Sequence, residues 1–304
     1  MFSLQRREFL KTSAALGATV ALPWAALARK VKKPLFDISL AQWSLHKAFF
    51  AKKLDPADFA KIAKTDYGIL AVEYVNQFYT DKKKDDEYLK DLKKRADDQG
   101  VTSVLIMCDR EGDLGDADEK KRQTAVDNHV RWIEWAKHLG CHSIRVNAKS
   151  TGTYDEQMER AADGLRKLSV IGDTHGINVI VENHGGLSSN GEWLAATIKK
   201  ADHKRCGTLP DFGNFNLGDG KEYDRYKGVQ ELMPFAKGVS AKSHDFDDKG
   251  DETHTDYRKM MKIVLAAGYG GYVGVEYEGS KIGEPEGIKA TKKLLEVVRA
   301  EMGR

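Results

Sequence analysis

The chain has 304 residues, with 49 lysines and arginines against 46 aspartates and glutamates and a formal charge of +3. Nothing in that balance suggests a nucleic-acid or membrane-surface partner. No run of about 20 apolar residues exists, which excludes a spanning helix, and the length suits one barrel-sized core.

The N-terminus reads as a targeting signal. Arg6-Arg7-Glu8-Phe9-Leu10-Lys11 is a twin-arginine pattern, Ala14 to Leu27 is apolar, and Ala26-Leu27-Ala28 is a small-residue cleavage site. Removal of residues 1–28 takes away three bases and one acid, leaving charge +1 on a single domain over 29–304. Export by this route predicts a periplasmic protein. An N-terminal amphipathic helix with incidental arginines is the plain alternative.

A first strand is expected over Asp37–Gln42, followed by Trp43-Ser44-Leu45-His46. Asp55 and Pro56 open a helix to about Lys64. A second strand, Leu70–Val75, precedes a charged helix that ends at Gln99-Gly100. The third strand, Val101–Met107, leads through a Gly/Asp-rich loop into a helix over Glu119–Leu139. In that helix Trp132 and Trp135 are expected to pack against the sheet. A fourth strand, His142–Val146, is followed by Asn147 and by a helix over Tyr154–His175.

The fifth strand, Asn178-Val179-Ile180-Val181-Glu182, is apolar until its last residue, as a strand buried on both faces is. Helix Gly191–Ala201, strand Gly207–Asp211, helix Tyr223–Phe235 and strand Gly238–His244 come next. Helix Asp256–Ala267, strand Tyr272–Glu276 and helix Glu284–Met302 complete the chain. Eight strands alternating with helices predict an α/β (β/α)8 TIM barrel. A doubly wound sheet is the alternative, but the loop after the first strand lacks the Gly-rich phosphate pattern. Cys108, Cys141 and Cys206 match no zinc spacing and are read as small buried hydrophobes.

Four of the strands end in a metal-competent side chain. Glu182, Asp211, His244 and Glu276 follow one another at steps of 29, 33 and 32 residues. In a barrel these ends are neighbours around half the rim. Three carboxylates and an imidazole suit one divalent ion, with Mn2+ the first expectation and Mg2+, Co2+ or Zn2+ the others. Such an ion would polarise a carbonyl and its neighbouring hydroxyl. Glu182 and Glu276 would then remove and return a proton, giving epimerisation or isomerisation of a sugar or keto-sugar.

The chain resembles the sugar phosphate isomerase/epimerase family, the xylose-isomerase-like barrels. The resemblance lies in Val181-Glu182-Asn183-His184, Asp211-Phe212-Gly213-Asn214, the strand ending at His244, and Gly268-Tyr269-Gly270-Gly271 leading to Val275-Glu276-Tyr277-Glu278-Gly279. It implies that the four strand-end residues bind the metal and that Glu182 and Glu276 double as acid and base. Many relatives carry His-x-Lys-Asp or His-x-His at the seventh strand, where this chain has Lys242-Ser243-His244-Asp245. Lys242 shares a face with His244, as a substrate contact or an ion-pair partner.

Glu73 and Asn147 match pocket positions of that family, and Asn214 belongs to the matching motif. Trp43 and His46 are expected to stack on a sugar face, a packed rim being the alternative. His184 is expected in the pocket or in a capping hydrogen bond, and His254 on a loop over the substrate or in solvent. Glu278 is placed past the strand end, without chemistry. Export points to an oxidised sugar or glycoside as substrate. Two alternatives to the isomerase follow: a lyase eliminating the aglycone of a 3-keto-glycoside, and a non-catalytic periplasmic sugar-binding barrel. A nucleic-acid or membrane partner is not expected, and an oligomer is compatible with the sequence.

Overall fold

The structure, a computed structural model, describes residues 34–303, so the signal and its cleavage site lie outside the described residues. Eight parallel strands form one sheet: β1 (Asp37–Ala41), β2 (Ala71–Val75), β3 (Thr102–Met107), β4 (Ser143–Val146), β5 (Asn178–Glu182), β6 (Cys206–Leu209), β7 (Val239–Ser243) and β8 (Tyr272–Tyr277). Their order is β6-β5-β4-β3-β2-β1-β8-β7. Isolated parallel bridges, Thr208 to Ala236 and Asp211 to Ser240, bring the β6 edge against β7 and close the barrel. Expected β6 runs through Asp211, but the ladder stops at Leu209. Pro210 has no N–H to continue it.

The helices are α1 (His46–Phe50), α2 (Phe59–Tyr67), α3 (Asp86–Gln99), α4 (Glu119–Leu139), α5 (Tyr154–His175), α6 (Gly191–Ala201), α7 (Arg225–Leu232), α8 (Tyr257–Ala266) and α9 (Glu284–Met302). Helix α4 starts where Asp118 accepts from the Lys120 and Lys121 amides and stops at Gly140 in the left-handed region, φ 84°. Helix α5 opens with a capping box between Thr153 and Glu156. Within α5, Gly164 allows a close approach: a Cβ there would lie 1.9 Å from the Leu114 carbonyl oxygen. Helix α1 and a small antiparallel hairpin, Asn216–Gly218 with Lys221–Glu222, are not expected from the sequence.

Two apolar layers hold the barrel. The larger lies between sheet and helices and includes Trp132, Trp135 and Trp193, all buried, with the three cysteines. Each fully buried Val, Leu, Ile or Phe of this layer, such as Leu165 or Val179, contributes about 1.5–3 kcal/mol of hydrophobic stabilisation. The smaller lies inside, built from Ala41, Ala71, Val75, Leu105, Met107, Ile180 and Leu209. Above this plug the inward positions turn polar at the C-terminal strand ends. Among the described residues, no helix is long and apolar enough to cross a membrane.

Candidate active site

Glu182, Asp211 and Glu276 come together at the ends of β5, β6 and β8. Each is buried, and one oxygen from each lies within 4.8 Å of the others. Asp211 is fixed by its own loop: Oδ1 accepts from the Gly213 and Asn214 amides, both at 2.8 Å. Its amide donates to Asn183 Oδ1 at 2.8 Å, and Asn183 Nδ2 donates back to the Asp211 carbonyl. Asn214 Nδ2 donates to Glu182 Oε1 at 2.8 Å, which places that predicted residue on the cluster.

The Ser240 hydroxyl stands 2.7 Å from Asp211 Oδ2 and 2.8 Å from Glu276 Oε2. One hydroxyl has one proton to donate, so satisfying both contacts needs a proton on one of the two acids. The electrostatics agree. Burial, then repulsion from Glu182 and Glu276, pushes Asp211 up to about 7 against the pull of Lys242. Burial likewise raises Glu276.

Lys242 is the fourth group of the cluster. Its buried Nζ lies 3.1 Å from Glu276 Oε1, 3.9 Å from Asp211 Oδ2 and 3.1 Å from Glu278 Oε2. Burial alone would lower its pKa, but these carboxylates hold it well above the ordinary value. His244, expected as a ligand, is not in this group. Strand pairing sets Lys242 opposite Glu276, so His244 falls two residues nearer the mouth. There it groups with Glu252 and His254, its ring 5.3 Å from that of exposed His254. The Glu252 carboxylate is occupied by the backbone amides of His244, His254 and Thr255.

Arg145 supplies a second buried cation that the sequence reading missed. Its Nε lies 2.8 Å from Glu182 Oε2 and its Nη1 2.8 Å from Asp109 Oδ1. Burial opposes the charge, yet Asp109 and Glu182 raise the Arg145 pKa. In return Arg145 overrides the burial of Asp109 and holds it at about 2. Asn147 is half-buried and donates to Asp109 Oδ1 at 2.8 Å. The available signal was alternation: Arg145 shares a face with Asn147. Glu278, set aside on sequence, also belongs here, accepting from Lys242 and from Trp43 Nε1.

The remaining expectations divide. His184 is exposed, and only its backbone N–H bonds, to Ser188 Oγ. Trp43 and His46 stack on each other, centroids 4.8 Å apart, and Phe78 also stacks on the indole. Glu73 lies inside the barrel, 2% exposed, taking the Ser39 hydroxyl at 2.5 Å.

Burial pushes Glu73 up to about 8 despite the Ser39 hydrogen bond. The folded state then keeps a proton that the unfolded chain has lost between about pH 4.5 and 8. Stability from this group is full below that window and is lost as pH rises through it. Glu73→Gln should therefore gain on the order of a few kcal/mol over the wild type on going from about pH 5 to pH 8, measured by urea unfolding.

The donor chemistry of Glu182, Asp211 and Glu276 fits a hard divalent cation, although Glu182 Oε2 already faces the Arg145 guanidinium at 2.8 Å. Lys242 competes for the same oxygens.

A family model described as a xylose isomerase-like TIM barrel matches residues 59–300. The chain belongs to the xylose isomerase-like TIM barrel family. A twin-arginine translocation signal matches residues 3–23, which indicates export across the cytoplasmic membrane. This barrel is similar in fold to a D-tagatose 3-epimerase-like protein, with TM-score 0.69 and 19% identity over 88% of this chain and 100% of that one. It is also similar to 3-keto-D-glucoside 4-epimerase from E. coli, with TM-score 0.65 and 17% identity over 87% and 99%. Among curated proteins, the alpha subunit of C-glycoside deglycosidase from Arthrobacter globiformis is 32% identical over 72 residues, 23% of this chain and 20% of that protein. The match thus spans about a fifth of that relative.

Proposed function

We propose that this barrel is a sugar isomerase or epimerase that moves a proton at the carbon beside the carbonyl of a sugar or keto-sugar. The observation that carries the reading is the pair Glu182 and Glu276, facing one buried space from β5 and β8 with Asp211 between. Glu182 removes the proton. Glu276, which burial keeps proton-rich, returns one to the other face of that carbon or to its neighbour. Asn214 and Arg145 orient Glu182. With no ion bound, Lys242 faces the same space and offers N–H donors to an oxygen on which charge develops. Asp211, Glu182 and Glu276 would hold the divalent ion, Mn2+ before Mg2+, Co2+ or Zn2+, and that ion supplies Lewis-acid polarisation when bound. The mature chain begins at Arg29 and works in the periplasm as one domain.

The epimerase-named structural relatives support this reading. The local match to a C-glycoside deglycosidase subunit favours a second: elimination from a 3-keto-glycoside. There the base takes the proton at C2, the C1–aglycone bond breaks, a C1–C2 double bond forms, and the acid protonates the aglycone. A panel of keto-hexoses and 3-keto-glucosides incubated in D2O separates the two by NMR. Deuterium in a retained sugar marks isomerase or epimerase chemistry, and free aglycone marks the lyase. Sugar binding without either supports a binding barrel.

A further inference from the structure

A divalent ion held by Glu182, Asp211 and Glu276 needs their oxygens at about 2.0–2.6 Å, inside the space these side chains enclose. Lys242 Nζ already stands there, 3.1 Å from Glu276 Oε1 and 3.9 Å from Asp211 Oδ2. Its depth is set by the backbone, since Lys242 pairs with Glu276 in the ladder. Its stem runs closely over bare backbone: a Cβ on Gly213 would come 3.0 Å from Lys242 Cγ and 3.3 Å from Cδ. An ammonium has three donors and no lone pair, so it repels an ion instead of ligating one. Arg145 adds to the effect by covering Glu182 Oε2 at 2.8 Å.

We infer that Lys242 is the resident cation of the cluster, a tethered ammonium in the place of a divalent ion, so that ion binding and the seating of Lys242 exclude each other. The inference deepens the proposed site but rests on its geometry, not on the sugar chemistry, and an ion-binding readout keeps the two separable.

The test is calorimetric titration of the mature chain with MnCl2, for the wild type, Lys242→Met and Lys242→His. Both variants should bind one Mn2+ per chain about 10–100-fold more tightly than the wild type, the range by which partners of ligand groups move metal affinity. Adding Asp211→Asn to Lys242→His should abolish that binding. Wild-type affinity equal to or tighter than both variants overturns the inference. If neither variant shows a cooperative melt, wild-type water-proton relaxation with Mn2+ decides: saturable one-to-one binding at micromolar ion overturns it, and none at that concentration supports it.

Discussion

Glu276→Gln should lower turnover on a keto-sugar by about 100- to 10,000-fold, the contribution of a positioned proton-transfer group. The amide keeps the size of the carboxyl, and its oxygen still accepts from Lys242, 3.1 Å away in the native protein. What it lacks is a proton to return. Glu182→Gln should cost as much, because the two groups act in sequence on one substrate, and the double variant should be little worse than either single one. KM should move far less than kcat. A fall of less than tenfold in either variant would remove that glutamate from the chemistry.

Arg145→Met should destabilise the fold by about 3–5 kcal/mol, the cost of taking one partner from a buried ion pair. Arg145 is buried and bridges Asp109 and Glu182 at 2.8 Å each. Its loss leaves both carboxylates without their cation. Arg145→Lys should recover only part of the loss, since one ammonium does not reproduce the guanidinium fork. The pH dependence gives a second check. Asp109 is held at about 2, below its ordinary 3.8. Its contribution is therefore present above about pH 4 and lost as pH falls toward 2. In Arg145→Met that acid-side decline should flatten. Urea unfolding from about pH 2 to 7 reads both effects, and an unchanged midpoint with an unchanged acid limb would contradict the assigned role.

The helices α4, α5, α6 and α9 fall at the bounds expected from sequence. The signals for three of them are local: Asp118, Thr153 and Asn190 cap their starts. The strand-end carboxylates were legible for a similar reason. A buried parallel strand is apolar until it reaches the rim, so Glu182 and Glu276 stand out. What was not legible depends on register. Lys242 and His244 share a face, and only the pairing of Lys242 with Glu276 shows which reaches the cluster. Arg145 sits between Ile144 and Val146 on the face of Asn147, so alternation aims it at the pocket without showing what would pair its charge. Both faces of a barrel strand are covered, and a buried arginine needs acids that come from β5 and from the loop after β3. Glu278 was discounted because β8 was expected to end at Glu276. The strand continues through Tyr277, which carries Glu278 within reach of Lys242 and Trp43.

Proton transfer at carbon by the Glu182–Glu276 pair is read by hydrogen exchange at the substrate. The mature protein would be incubated in D2O with keto-hexoses and 3-keto-glucosides, with NMR following each C–H beside the carbonyl. Deuterium should appear at one such carbon, catalysed by the wild type and lost in Glu182→Gln and in Glu276→Gln while both variants still melt cooperatively. Exchange or turnover that survives in the double variant, or sugar binding with no exchange at any carbon and no aglycone release, would contradict it.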